Sequence, residues 1–261
     1  MDTLAVIESD PETLASAIET AALHEQGDTH QEMFVRIDDG YVETPASAAG
    51  ATRASYCTLA AAHFDRLAVH TATAVDAMFE IEPFLGWLDW LDGDSVTVEF
   101  QGAHGVVTQL LLTDGTDEVT LDCPDDPAVL EAVETDLPDR FADTQFLDDD
   151  GTAMPTTVET TTAQLRRLVA AVDLTEPTEG YPLVVRDGQL VVDTAGNGAS
   201  ATAPLAATVD GPAVTNRYGS DFADVVAGID GPVTLQTGPG NAVAFVQTTD
   251  RYTLRYVVSS P

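Results

Sequence analysis

One apolar stripe occurs four times in this chain, and each time residues of alternating polarity follow it. Leu14, Ala17, Ile18 and Ala21 recur at i, i+3, i+4 and i+7, the spacing of one face of a short helix. Phe84, Trp87, Leu88 and Leu91 repeat it, then Leu165, Leu168, Val169 and Val172, then Phe222, Val225, Val226 and Ile229. After the last stripe Asp230-Gly231-Pro232 stops the helix and the period changes to two, through Val233–Leu235, Ala242–Thr248 and Tyr252–Val258. After the second, Asp92-Gly93 precedes Val96–Phe100, Val106–Leu112 and Val119–Asp122 in the same order. A unit of one helix and three antiparallel strands is therefore present twice, and the chain is internally duplicated.

The stretches before these units match as well. Leu4–Glu8 and the residues from Val158 each read as a strand entering a helix, with Ser9 or Asp10 capping the first helix and Thr161 or Thr162 the third. Ser220 stands where it would cap the last one. The first and third helices are each followed by a hairpin on an Asp-Gly turn, Asp39-Gly40 and Asp187-Gly188. Aligned on those turns, Gly50 falls on Gly198. Further strands are expected at Ala54–Ala60 and Leu67–Thr71. Each half reads β-helix-β-β-β followed by helix-β-β-β, an α+β architecture, with boundaries expected at 1–122, a connector at 123–155, and 156–261.

Charge bears on what such a chain can meet. Ten arginines and no lysine stand against 44 acidic residues, for a formal net charge of −34, while 44% of the residues are hydrophobic. A disordered acidic chain is poor in apolar residues, and this one holds enough to build a core. Self-repulsion of this size strains a compact fold in dilute buffer and is screened in strong salt. The composition points to a salt-loaded cytoplasm, so acidity carries no implication of a cationic substrate. Cys57 and Cys123 lie far apart and are read as buried thiols. Neither a membrane span nor a basic, apolar leader is expected, which makes a cytoplasmic protein the default.

Chemical motifs are sparse. Gly196-Asn-Gly198 lacks the pattern of a phosphate loop and reads as loop glycines. His63 and His70 do not have metal-ligand spacing, and Asp148-Asp149-Asp150 reads as a solvated run rather than a cation site. No serine or cysteine sits in a nucleophile motif. The expectation is a protein without catalytic residues, metal or cofactor.

The duplicated pattern, covering about 4–122 and 156–258, resembles the DNA sliding-clamp fold of the proliferating cell nuclear antigen (PCNA) type, in a divergent, salt-adapted form such as a haloarchaeon or its virus would carry. The resemblance implies two duplicated domains of antiparallel sheets with two short helices each, assembled as a homotrimeric ring around double-stranded DNA. It implies a processivity factor for DNA replication, placed by a clamp loader, that tethers DNA polymerase and other proteins through clamp-binding peptides. Ring clamps of this family present basic residues on the polar faces of their helices, and here those faces offer only Arg166 and Arg167, which read equally as DNA contacts or ordinary surface arginines. The alternative is a clamp-fold interaction or regulatory protein that does not encircle DNA. Peptide docking beneath the connector would use Leu130, Val133, Leu137, Phe141, Phe146 and Leu147 with Tyr256, Val257 and Val258. The same apolar residues read equally as pins that fasten the connector to the sheets.

Overall fold

The computed structural model describes residues 1–21, 32–47, 53–103, 106–124, 138–175, 180–250 and 252–259. Contacts divide them into two units. One holds β1–β9 with α1 and α2, the other β10–β19 with α3 and α4, and strands β4 and β20 are divided between them.

In the first unit, β1 (Asp2–Ser9) leads into α1 (Pro11–Ala21), then β2 (Glu32–Asp38), β3 (Tyr41–Ser47), β4 (Arg53–Ala60), β5 (Arg66–Val69) and β6 (Val75–Glu80). Next come α2 (Ile81–Trp90), β7 (Val96–Ala103), β8 (Val106–Thr113) and β9 (Glu118–Asp122). The strands are ordered β4-β3-β2-β6-β8-β7-β1-β5, with β9 also paired to β8. Among the pairs whose register is described, pairing is antiparallel except at the parallel contact Asp76↔Val106. Asp10 accepts the Thr13 amide at 2.8 Å, so of the two capping candidates it is Asp10 that caps α1. From the helices, Leu14, Ile18, Phe84 and Leu88 are buried, and the Phe79 and Phe84 rings meet at 4.7 Å.

The second unit has the same order. After a two-stranded hairpin, β10 (Phe141–Ala142) and β11 (Gln145–Phe146), come β12 (Thr156–Thr161), α3 (Thr162–Thr175), β13 (Tyr181–Arg186), β14 (Gln189–Gly196), β15 (Ala199–Pro204), β16 (Thr208–Asp210) and β17 (Val214–Tyr218). Then follow α4 (Ser220–Gly228), β18 (Pro232–Thr237), β19 (Val243–Thr248) and β20 (Tyr252–Val258). One sheet runs β16-β12-β18-β19-β20 and another β15-β14-β13-β17. In each unit the two helices touch each other, α1 with α2 and α3 with α4. Phe222 stacks on Tyr218 at 5.6 Å and meets Phe245 at 5.3 Å, which fixes α4 to the helix-facing side of β19.

Five strands stand between the helices of each half, where the sequence pattern implied three as a general rule and, in the first half, four strand segments. The duplication is thus closer than the stripes alone showed. Strands β15 and β16 escape the pattern because most of their residues are exposed, which leaves no apolar alternation to read. Asn197 and Gly198 are not in a loop between distant elements. With φ of 44° and 75° they form the two-residue turn joining β14 to β15. Asp187 and Gly188 form another such turn, at 52° and 72°. Two local expectations are corrected: Gly219, not Ser220, is the N-cap of α4, with no side-chain cap, and Trp87 lies on the exposed side of α2.

The paired Asp-Gly steps before β7 and β18 are glycines for different reasons. Gly231 has a φ of +90°, which a side chain would strain. At Gly93 a Cβ would come within 2.6 Å of the Asp114 Cβ. Gly231 is also held by α3: Thr162 Oγ1 accepts its amide at 3.0 Å, and the Thr162 amide donates to its carbonyl at 2.9 Å.

Candidate functional site

The described part of the connector closes over the sheet β12-β18-β19 on the side away from the helices. Strand alternation sets this up. On β19, Phe245 points to α4, so Ala242, Ala244 and Val246 face the other way. Gln236 lies directly opposite Ala244 in the register and shares that face. On β20, Arg255 and Val257 alternate with Leu254, Tyr256 and Val258. The sheet therefore presents a strip of small apolar residues, flanked by one amide and one guanidinium.

The hairpin β10–β11 fills this strip. Phe146 is 1% exposed and is buried with Met154 and Ala244, against which Phe141, Ala242 and Val257 are packed. The two rings lie 5.2 Å apart. Burial of a phenylalanine of this kind stabilises by about 2–3 kcal/mol. Gln236 does the work of a neighbouring strand: its Oε1 accepts the Phe146 amide and its Nε2 donates to the Thr144 carbonyl at 2.8 Å. Two arginines complete the clasp. The Arg140 guanidinium lies 5.3 Å from the Phe146 ring centre and donates to the Leu147 carbonyl, while the buried Arg255 lies 5.6 Å from Phe141 and donates to the Asp143 carbonyl at 3.0 Å. Beside the hairpin a recess of about 320 Å³ runs along Glu159, Pro232, Thr234 and Val246.

Of the residues expected to line a peptide pocket, Leu130, Val133 and Leu137 lie outside the described residues. Phe141 and Phe146 fill the strip, Leu147 is half-buried, and Val257 contributes to its floor. Tyr256 and Val258 are buried on the opposite face of β20 from Val257, because successive side chains of a strand point to opposite faces. Gln236, Arg140, Arg255 and Met154 were not anticipated. A signal for Gln236 was present: in Val233–Thr237 it is the polar residue that alternates with Leu235, the core position.

The acidic run 148–150 is a turn. The Asp148 carboxylate accepts the amides of Asp150 at 3.0 Å and Thr152 at 2.8 Å, and Asp149 pairs with Arg140 at 3.1 Å. Among the described residues no cluster of three metal-ligating side chains occurs. Cys123 is not poised as a nucleophile: burial, then the Asp122 charge, pushes its thiol up to about 12.

Arginines are largely committed within the fold. Arg36 makes a two-pronged pair with Asp76, at 2.8 and 3.0 Å, and Arg186 pairs with Asp193 at 2.9 Å. Arg53 is 2% exposed with Asp224 at 3.8 Å. On the outward face of α3, Arg166 donates to the Ile229 carbonyl at 2.7 Å and to Asp230 at 3.2 Å, whereas Arg167 donates to Gln164 one turn away. Both are exposed.

No protein-family model matches the chain, and no curated protein matches it in sequence. Solved structures do match in fold over its whole length. It is similar to PCNA from Thermococcus kodakaraensis, with a TM-score of 0.71 at 13% identity over 98% of this chain and 100% of that one. A. fulgidus PCNA with the C-terminal region of FEN-1 bound also gives 0.71, at 10% identity over 99% of this chain and 98% of that one. The PCNA2–PCNA3 complex of Sulfolobus tokodaii gives 0.65, at 11% identity over 98% of each chain. At such identities the likeness is one of fold, and the fold is that of the sliding clamp.

Proposed function

We propose that this chain is a DNA sliding clamp of the PCNA type, a processivity factor that tethers DNA polymerase and other DNA enzymes rather than an enzyme itself. The observation that carries the reading is the match of both halves, in order and over full length, to PCNA structures. A clamp holds DNA by topology and its protein partners through docked peptides, and needs no catalytic constellation.

Assembly follows from unsatisfied strand edges. Among the described residues β9 pairs with β8 alone and β15 with β14 alone, so each half includes a strand with one open ladder, alongside the sheet ends β5, β16 and β17. Open edges invite pairing with another chain, and head-to-tail pairing of unlike edges closes a ring when the rotation permits. A homotrimer, opened and closed by a clamp loader, is the proposed state, working in a salt-loaded cell to which the charge of −34 is matched. Counterion release contributes little at molar salt, so a ring held by topology functions with few cations in contact with phosphate. Arg166 and Arg167 are the proposed contacts. A. fulgidus PCNA is seen with the C-terminal region of FEN-1 bound, and a partner segment of that kind, docking on the connector side, is the proposed class of partner here.

The test is loading onto nicked circular DNA in molar KCl with the cognate loader, followed by linearisation. Retention on the circle and loss on cutting are expected. Equal binding to circular and linear DNA, or none to either, leaves a clamp-fold adaptor instead.

A further inference from the structure

We propose that the Phe141–Phe146 hairpin is an internal plug: it occupies the surface that receives partner peptides, and a peptide bearing paired aromatic rings binds by displacing it. The proposal rests on the peptide-docking part of the reading above and adds a gate to it.

Four observations support a displaceable plug over a permanent core element. The surface beneath the hairpin is built to accept rings, since Ala244 of β19 and Ala242 just before it lie under the two phenylalanines, where larger side chains would have closed the sheet by themselves. What fills the strip is a pair of rings 5.2 Å apart, which defines the shape of any competing ligand. The hairpin has two residue pairs, Phe141↔Phe146 and Ala142↔Gln145, extended by the Leu147 amide to the Arg140 carbonyl and the Met154 amide to the Phe146 carbonyl, and a ribbon of that size is marginal in water without the packing beneath it. Finally, its attachment to β18 runs through a side chain, because Gln236 supplies both the acceptor for Phe146 and the donor for Thr144. A side-chain amide rotates away without breaking the ladder between β18 and its neighbours.

Arg140 and Arg255 suit this exchange. Each lies over one of the rings and bonds to a connector carbonyl, so each keeps an aromatic partner when peptide rings replace the internal ones. The adjoining recess along Pro232, Thr234 and Val246 gives room for the remainder of the peptide. Because the occupied state competes with the ligand, measured affinity equals intrinsic affinity reduced by the fraction of open molecules.

The experiment uses the full chain in molar KCl and a fluorescein-labelled peptide of the pattern Gln-x-x-Leu-x-x-Phe-Phe, with a version ending Ala-Ala as control. Phe141→Ser removes one ring of the plug, and Gln236→Leu removes both bonds to it. Each variant is expected to bind the Phe-Phe peptide at least about tenfold more tightly than the wild type, and the control peptide not at all. Hydrogen exchange on the wild type gives a readout that needs no variant. On peptide binding the Phe146 and Met154 amides should lose protection while Leu235 and Phe245 keep theirs. Peptide binding with equal affinity in all three proteins, or with the Phe146 amide still protected, overturns the plug and leaves peptide docking intact. Failure of every protein to bind the peptide overturns the plug and peptide docking together, whereas the circular-DNA experiment decides the ring separately.

Discussion

Asn216 Oδ1 accepts the backbone amide of Gly240 at 2.8 Å, from a side chain that is itself buried in the core of the second unit. Its Nδ2 lies within bonding distance of the Tyr218 hydroxyl and Thr237 Oγ1, at 3.0 Å each, and of the Gly238 carbonyl at 2.8 Å. Tyr218 and Thr237 are fully buried, so the network replaces water for the whole β18–β19 turn. Asn216→Ala would remove one partner each from the Gly240 amide and the buried Tyr218 and Thr237 hydroxyls, which keep each other and the Asn241 and Ala242 carbonyls, at a cost of about 1–3 kcal/mol. Urea unfolding in molar KCl should show a lower midpoint with an unchanged slope. A shift below about 0.5 kcal/mol would mean that water enters and satisfies the turn.

This network also marks what the sequence did not disclose. Val214-Thr-Asn-Arg-Tyr218 alternates with Asn216 at an inward position, so a reader of apolar periodicity finds no strand there. The helices were legible because all four stripes keep one spacing; the strands β15 and β16 were not, because exposed edges carry small and polar residues. The apolar connector residues were visible, but whether they line a surface or fill it depends on which face of β20 and β19 each partner occupies. That is fixed by register, and a one-residue shift reverses it.

Trp87 shows the limit of a four-residue stripe. Helix α2 starts at Ile81, so the buried arc is centred on Ile81, Phe84, Leu88 and the following Leu91, and Trp87 falls on its rim. Trp87 is 40% and Trp90 53% exposed, with the rings edge-on at 5.5 Å. These are the two tryptophans of the chain, so intrinsic fluorescence reports on them alone. The folded protein should emit with a solvent-exposed maximum and be quenched readily by acrylamide. A blue-shifted, quencher-resistant emission would place them against another surface, such as a second copy.

Salt should stabilise the fold steeply. With a net charge of −34, repulsion acts over about 10 Å at 0.1 M salt and about 3 Å at 1 M. Thermal midpoints in KCl should climb well past 1 M, since hydration and packing gain from the same change. A midpoint that is flat between low and molar salt would remove the argument for adaptation to a salt-loaded cell.

Alkaline pH should destabilise it. The Cys123 thiol is raised to about 12 by burial and then by Asp122, and the Tyr181 phenol to about 12 by burial and then by its 2.8 Å bond to Asp173. Both groups bind their proton more tightly folded than unfolded, so their contribution is complete below the unfolded values and is lost as pH rises toward the folded ones. Stability should fall between about pH 9 and 12, and at pH 8 a thiol reagent should leave both buried cysteines unmodified until denaturant is added. Prompt labelling of two thiols in the native protein would show that the core opens around Cys57 and Cys123.

Arg166 and Arg167 separate fold from function. Arg166 ties α3 to the turn after α4 through the Ile229 carbonyl and Asp230, in the neighbourhood where Thr162 also grips Gly231. Arg166→Glu sets a carboxylate against Asp230 and should cost stability, by about 1 kcal/mol at this exposed position. Arg167 reaches only Gln164 on its own helix, so Arg167→Glu should leave the thermal midpoint unchanged. If these side chains face DNA in the ring, each reversal shortens the residence of the loaded clamp on circular DNA, and the double variant more than either. Arg167→Glu is the informative one, since it loses retention without losing fold. Wild-type retention by a well-folded Arg167→Glu variant would remove Arg167 from the DNA-facing surface and leave topology alone to hold the clamp.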